Sequence, residues 1–343
     1  TTGAVAPAIA QGTKELRMVT TWPKNFPGLG TGAENLAKRI NTMSEGKLQV
    51  KVFAAGELVP AFESFDAVSS GNAHMSHSAS YYWQGKSPAF NFFTTVPFGL
   101  NAVEHATWIY HGGGQELWDE VAAQFDIKPF LRASTGVQMG GWYRKEINTL
   151  DDYKGLKFRM PGLGGEVLRR LGAAVVNLPL GEIFQGLQTG TVDGTEWVGP
   201  WHDLAAGFYK VAKFYYWPGF HEPGTTGEVM LNRQIWEGLS KEHQEIVATA
   251  IQAEAWREFT EIQSHNSESL RKLVDENGVQ LRQFSDELLQ AIGKVAAEVV
   301  EEVGTKDAMT KKVFESYSGF RSQAKGWAKI SEQAYMNARE SFA

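Results

Sequence analysis

The 343-residue chain contains no cysteine. That excludes disulfides, thiolate nucleophiles, Cys-ligated zinc and iron–sulfur clusters. It leaves the compartment open, since a cysteine-free protein tolerates an oxidising one. No apolar run approaches the ~20 residues needed to span a bilayer. Positive charge is not massed either: 33 Lys and Arg face 39 Asp and Glu, a net charge of −6. Without a basic block to neutralise phosphates, nucleic acid is not an expected partner. Enzyme signatures are missing as well. There is no Walker A loop, no H-E-x-x-H and no G-x-S-x-G, and the eight histidines show no metal-ligand spacing. Gly28-Leu29-Gly30-Thr31-Gly32-Ala33 spells G-x-G-x-x-A but follows the loop Pro23-Lys24-Asn25-Phe26-Pro27, not a strand, and reads as the start of a helix. His111-Gly112-Gly113-Gly114 resembles an oxyanion loop but has no nucleophile to serve. Asp151-Asp152 reads as a turn.

What remains is an ordinary globular composition, 43% hydrophobic and 21% charged, in a chain too long for one compact core. Two lobes are expected. The eleven tryptophans suit a lined pocket. Residues 1–13 are small and apolar at first, and Ala8-Ile9-Ala10 has the A-x-A form of a signal-peptidase cut, so they read as an export-signal remnant and imply a periplasmic home. Alternating apolar patterns predict strands at 16–21, 48–54, 73–78, 127–133, 137–143, 156–160 and 174–178. Helices are expected at 34–43, 61–70, 103–125 as one long element, 165–171 and 182–189. This alternation argues for α/β architecture with parallel, doubly wound sheets. Segments 213–217 and 228–232 read as strands returning the chain to the first lobe. Long helices then run from 241 to 276 and, after a strand at 279–284, from 285 to the end. The division that follows is lobe I at 14–137 plus 233–285, lobe II at 138–232, and C-terminal helices at 286–343. The last of these carries Val313, Tyr317, Phe320, Trp327, Ile330, Tyr335 and Phe342, which must bury against the chain's own lobes or against a second copy.

The informative stretch lies between Gly155 and Trp197. Gly155-Leu156-Lys157-Phe158-Arg159-Met160-Pro161 is a strand with Lys157 and Arg159 on one face. An arginine at a strand end can capture a carboxylate bidentately, although composition alone favours a surface ion pair. A strand ending in Leu178-Pro179 follows, then a helix through Gln188 and Gly190. The turn Val192-Asp193-Gly194-Thr195-Glu196-Trp197 then sets a carboxylate beside a large aromatic.

The order G-x-K-x-R-M-P, G-A-x-x-x-x-L-P, E-x-x-x-x-L-Q-x-G-x-V-D-G-x-E resembles the periplasmic solute receptors of tripartite ATP-independent (TRAP) transporters, and within them the 2-oxo acid receptors of the TakP type. The resemblance covers residues 14–321. It implies a two-lobe periplasmic binding protein fold that closes on an organic acid, with a long C-terminal helical extension. It implies that Arg159 clamps the ligand carboxylate. A bound cation would be held by Gln138, Glu196, the backbone carbonyl of Trp197 and Glu222, with Gln138 and Glu222 also near the substrate. It places Tyr82 and Trp83 as pocket walls. It further implies a membrane permease as partner and a homodimer formed through the terminal helix.

The chemistry of those residues agrees. A hard cation takes oxygen ligands, and an amide carbonyl, carboxylates and a backbone carbonyl supply them without cysteine or histidine. Two carboxylates alone would repel an anion; Arg159 and a cation reverse that sign. Na⁺ and Ca²⁺ both suit such ligands, and a chelating 2-oxo or 2-hydroxy acid suits the cation. The expected function is capture of a pyruvate-like 2-oxo monocarboxylate. Lactate, a sugar acid or an aromatic acid are alternatives. A metal-dependent oxo-acid enzyme is a further one, with Glu222 as its only obvious base.

Overall fold

The computed structural model describes residues 13–342. The A-x-A segment lies outside them. The strands are β1 (Lys14–Thr20), β2 (Leu48–Phe53), β3 (Met75–Ser78), β4 (Ile127–Ser134), β5 (Gly141–Tyr143), β6 (Lys157–Arg159), β7 (Ala174–Val176), β8 (Gly194–Thr195), β9 (Phe214–Trp217), β10 (Thr226–Asn232) and β11 (Gln280–Gln283). The helices are α1 (Leu29–Met43), α2 (Ser64–Ser69), α3 (Ala102–His111), α4 (Gly114–Ala123), α5 (Gly162–Arg170), α6 (Leu180–Thr189), α7 (Pro200–Ala206), α8 (Arg233–Glu237), α9 (Lys241–Arg271), α10 (Asp286–Gly304), α11 (Ala308–Ile330) and α12 (Glu332–Glu340).

Two sheets form two lobes. Lobe I is built on a five-stranded sheet of order β2-β1-β3-β10-β4, and lobe II on a six-stranded sheet of order β11-β9-β5-β8-β6-β7. Neither sheet is wholly parallel, contrary to expectation. β10 runs antiparallel to β3 and β4, and β5 runs antiparallel to β8 and β9. The reason is topological: each lies at a crossing between lobes, so it enters its sheet from the opposite end to the local β-α-β units.

The expected lobe boundaries shift for the same reason. β10 belongs to the lobe I sheet, whereas β9 stays in lobe II. β11 returns to pair with β9, and α10 places Leu288, Ile292, Ala296 and Val299 in the lobe II core with Phe158 and Val167. Segment 103–125 is two helices, because Gly113 takes a left-handed φ of 84° between α3 and α4. A β-carbon on neighbouring Gly114 would lie 2.9 Å from the Ile109 backbone, so the break is tight as well as bent. The first half of α11 is lobe I core: Val313 and Tyr317 are buried, and Tyr317 accepts at its hydroxyl from the Leu100 N–H at 2.9 Å.

The polypeptide crosses between lobes at 134–141 and 217–226. These segments bind each other: Thr135 N–H to Thr225 O at 2.9 Å, Gln138 N–H to Glu222 O at 3.1 Å and Gly219 N–H to Gln138 O at 2.9 Å. A side chain on Gly219 would place its β-carbon 2.4 Å from Gln138 O, so the crossing requires glycine there.

Candidate functional site

Arg159 closes β6 and is fully buried. Its Nε donates to Leu178 O at 3.0 Å, and Nη1 donates to Glu196 O at 3.2 Å and to the Glu196 carboxylate. Its guanidinium lies 5.1 Å from the Trp197 ring centroid. The remaining nitrogen, Nη2, is buried and has no hydrogen-bond partner among the described residues. Burial works against its charge, but Glu196 and the nearby tyrosines more than offset this, so its pKa is raised. The arginine is a fixed cation with one open face, which is the form a carboxylate clamp takes.

The second half of the site comes from the crossing segments. Gln138 Nε2 donates to Thr135 and Thr225 hydroxyls, both at 3.1 Å, and the Thr225 hydroxyl donates to the Glu222 carboxylate. These bonds orient the amide, and they leave Gln138 Oε1 buried without a partner among the described residues. Ligand atoms of Glu196, His221 and Glu222 lie within 4.8 Å of one another. The site therefore joins expected residues 138, 159, 196, 197 and 222. It also includes His221, whose Nε2 is 3.3 Å from Glu196. The sequence signal for His221 was only its position beside Glu222, one lone histidine among eight.

Burial pushes His221 down to about 4, so its imidazole is neutral. Burial pushes Glu222 up to about 7, with Glu196 adding to it, and pushes Glu196 to about 7 against the pull of Arg159. Two carboxylates against one guanidinium give a surplus of negative charge when ionised. An orphaned amide oxygen and two carboxylates in one buried site fit a hard cation. Gln138, Glu196 and Glu222 could hold it. The cation would supply positive charge to which a ligand carboxylate and its neighbouring oxygen can bind together.

A pH dependence follows. Unfolded, Glu196 and Glu222 lose protons near 4.5; folded and cation-free, they keep them up to about 7. The folded state holds more protons in that window, so the contribution to stability is full below the lower value and is lost as pH rises through the upper one. Cation binding needs both ionised and has the opposite sense. The Tm increase produced by Ca²⁺ is expected to be small at pH 5 and larger at pH 8, as read by differential scanning fluorimetry. An increment independent of pH would contradict this assignment.

Tyr82 and Trp83, the expected aromatic walls, follow Tyr81 in one turn. Residues Ser80–Trp83 form one 3₁₀ turn, in which positions i and i+3 eclipse. Ser80 Oγ and Trp83 Nε1 accordingly both donate to the buried Glu228 carboxylate in lobe I. Trp83 packs on Phe65 with ring centroids 5.4 Å apart, in the lobe I core. Tyr81 and Tyr82 are left facing the cleft, stacked at 4.7 Å. Burial raises the Tyr81 pKa, with Glu222 and Glu196 adding to the shift, which places its hydroxyl in the same electrostatic neighbourhood.

The lobes meet around these groups. Trp22 and Phe26 of lobe I stand edge-on to Trp197 of lobe II at 6.2 and 6.3 Å. Across the mouth, a β-carbon on Gly162, which has φ +60°, would lie 3.0 Å from the Tyr81 ring and 3.2 Å from Asn91 Oδ1. Gly162→Val adds both backbone strain and a cross-cleft clash. It is expected to weaken ligand binding by about tenfold or more, roughly 1.4 kcal/mol, measured by calorimetry. Unchanged affinity would mean the lobes need not approach this closely.

Comparison with known proteins matches residues 18–307 to the family described as bacterial extracellular solute-binding protein, family 7 (DctP). The chain belongs to this DctP family. A monocarboxylate 2-oxoacid-binding periplasmic protein of Nostoc sp. is 44% identical over 94% of this chain and 88% of its own length. Among solved DctP structures, a TRAP solute-binding protein of Pseudoalteromonas atlantica with bound sodium and pyruvate is 40% identical, covers 95% of this chain and 99% of its own, and has a TM-score of 0.92. One from Bordetella bronchiseptica, a mixed-occupancy dimer with copurified calcium and picolinate, is 35% identical, covers 96% and 98%, and has a TM-score of 0.94. DctP proteins are solute receptors of TRAP transport systems and not enzymes. Among the described residues no helix is long and apolar enough to cross a membrane.

Proposed function

We propose that this receptor works in the periplasm and captures a short 2-oxo monocarboxylate such as pyruvate together with Na⁺ or Ca²⁺. It then delivers the acid to the membrane permease of a TRAP system. The observation that carries the reading is the pair of buried, unpartnered groups at the two ends of one contact chain. Arg159 Nη2 is an orphaned donor and Gln138 Oε1 an orphaned acceptor, linked through Glu196, His221, Glu222 and Thr225. A carboxylate answers the first and a cation the second. Relatives carrying pyruvate with sodium, and the 2-oxoacid-binding name of the Nostoc protein, support the same cargo. The aromatic wall favours a small ligand: Tyr82 is backed by Phe62 at 4.9 Å and by Trp22 at 6.3 Å. Picolinate in the Bordetella relative favours a second reading, an aromatic 2-carboxylate as cargo.

Calorimetry with pyruvate, 2-oxobutyrate, lactate and picolinate, each with Na⁺, with Ca²⁺ and with neither, separates these readings. Pyruvate binding that requires a cation is expected. No saturable binding of any 2-oxo acid with either cation would defeat the proposal.

The resemblance also supports a homodimer formed through the terminal helices. Val313 and Tyr317 of α11 are core residues, so a shortened chain must keep them. Ending the chain after Lys325 removes the exposed part alone. Light scattering is expected to show a dimer for the full chain and a monomer for the shortened one; a monomeric full chain would refute it.

A further inference from the structure

One buried carboxylate of lobe I lies outside the contact chain that joins Arg159 to Gln138. β10 is buried along its whole length, and Glu228 is its third residue. Burial pushes the Glu228 carboxyl up to about 7, and among the described residues no arginine or lysine pairs with it. An apolar side chain in so enclosed a strand would avoid that desolvation penalty.

Each oxygen has its own donor. Ser80 Oγ donates to Oε2 and Trp83 Nε1 to Oε1. Both donors belong to the turn Ser80–Trp83, where a repeat of three puts them on the same side and turns Tyr81 and Tyr82 away from it. Holding the first pair therefore fixes the second. The turn is tied once more: the Tyr81 N–H donates to Thr94 Oγ1 at 2.9 Å, and Thr94 O accepts from the Thr226 N–H at 2.9 Å. All three ties lead to β10, which continues directly from Glu222 and Thr225. The two tyrosines and the Glu222 carboxylate are thus mounted on one strand, and their separation is set by these bonds.

We infer that Glu228 is a positioning residue that sets the size limit of the ligand: its two hydrogen bonds hold Tyr81 and Tyr82 at a fixed distance from Glu222, which leaves room for a short acid and excludes a branched one. This rests on the 2-oxo acid reading and adds the group that enforces the short chain. The rings cannot yield in other directions. Tyr82 is backed by Phe62, and the Tyr81 ring faces Gly162 across the cleft at a spacing that a single β-carbon would bring to 3.0 Å. Release of the turn is the one movement left that enlarges the space, and Glu228 opposes it.

The test compares pyruvate with 3-methyl-2-oxobutyrate by calorimetry on the full chain in saturating Ca²⁺. The unsubstituted protein is expected to prefer pyruvate. Glu228→Met keeps the length of the side chain but removes both acceptors, leaving two buried donors unpaired. It is expected to narrow the preference by about tenfold or more, the scale on which a pocket discriminates by size. Glu228→Gln can accept from Trp83 and donate to Ser80 Oγ, and is expected to restore the preference. The Tm rise caused by Ca²⁺ alone should survive in both variants, which shows that they have folded. A purely structural role would weaken both acids equally and leave their ratio where it was. If Glu228→Met does not fold, Trp83→Phe keeps the packing on Phe65 and removes only the indole N–H, and a narrower preference is again expected. An unmoved ratio in the folded variant overturns the assignment while the cargo reading stands, and so does a Glu228→Gln ratio as narrow as that of Glu228→Met. If the unsubstituted protein binds neither acid, both fall.

Discussion

Arg159→Ala is expected to raise the pyruvate Kd by about three orders of magnitude, roughly 4 kcal/mol. Only Nη2 of the guanidinium lacks a partner among the described residues. Three of its hydrogen bonds are spent on Leu178 and Glu196, and these hold Nη2 in place. Removing it deletes the donor to the ligand and leaves the Glu196 carboxylate buried without its counter-charge. Part of the effect will therefore appear as stability, since breaking a buried pair costs ~3–5 kcal/mol when one charge is left behind. Arg159→Lys separates the two effects. A lysine keeps a positive charge near Glu196 but cannot keep the Leu178 and Glu196 bonds while presenting a third donor. It is expected to recover most of the lost Tm and little of the affinity, with calorimetry and scanning fluorimetry read on the same samples. Near-normal affinity in Arg159→Lys would mean that charge alone binds the ligand and the fork geometry is incidental.

Removal of the cation is the second large effect. Stripping Na⁺ and divalent ions, or replacing Glu222 by Ala, is expected to lower pyruvate affinity by about 100-fold or more. The arithmetic is electrostatic. A unit charge pair at 4 Å is worth about 4 kcal/mol at an effective dielectric constant of 20. Without the cation, the ligand's negative charge meets two carboxylates and one guanidinium. Protonation at about 7 relieves part of that repulsion, so the loss on cation removal should be larger at pH 8 than at pH 6. Glu222→Ala should also abolish the Tm rise caused by Ca²⁺ alone. Full-strength pyruvate binding in metal-free buffer would remove the cation from the account altogether.

Individual residues show how much was legible beforehand. Arg159, Gln138, Glu196 and Glu222 converge, although they are spread over more than 80 positions, because the motif order carried them as a set. No single one could be distinguished from a solvated polar residue by pattern. Which of Tyr81, Tyr82 and Trp83 line the cleft could not be read in advance, because three adjacent aromatics carry no period. Only the eclipsed 3₁₀ turn, with Ser80 and Trp83 both tied to Glu228, decides which rings face the cleft. His221 was missed because a lone histidine next to a glutamate has no spacing to read. The break between α3 and α4 was visible as three glycines, Gly112 to Gly114, but was overridden by a continuous apolar stripe.

The chain's residues by themselves excluded thiol chemistry and a basic face and set out alternating elements that must build layered lobes; oxygen ligands with one arginine followed from the motif order that resembles the family. Local patterning records which side chains are apolar and where turns fall, and that suffices for elements and for motif order. The tertiary structure alone decided the strand directions at the crossings, the membership of β9, β10 and β11, and the addition of His221 to Glu196 and Glu222. These depend on contacts between segments distant in the chain, and the free energy of such contacts is set by the enclosed geometry of the packed lobes.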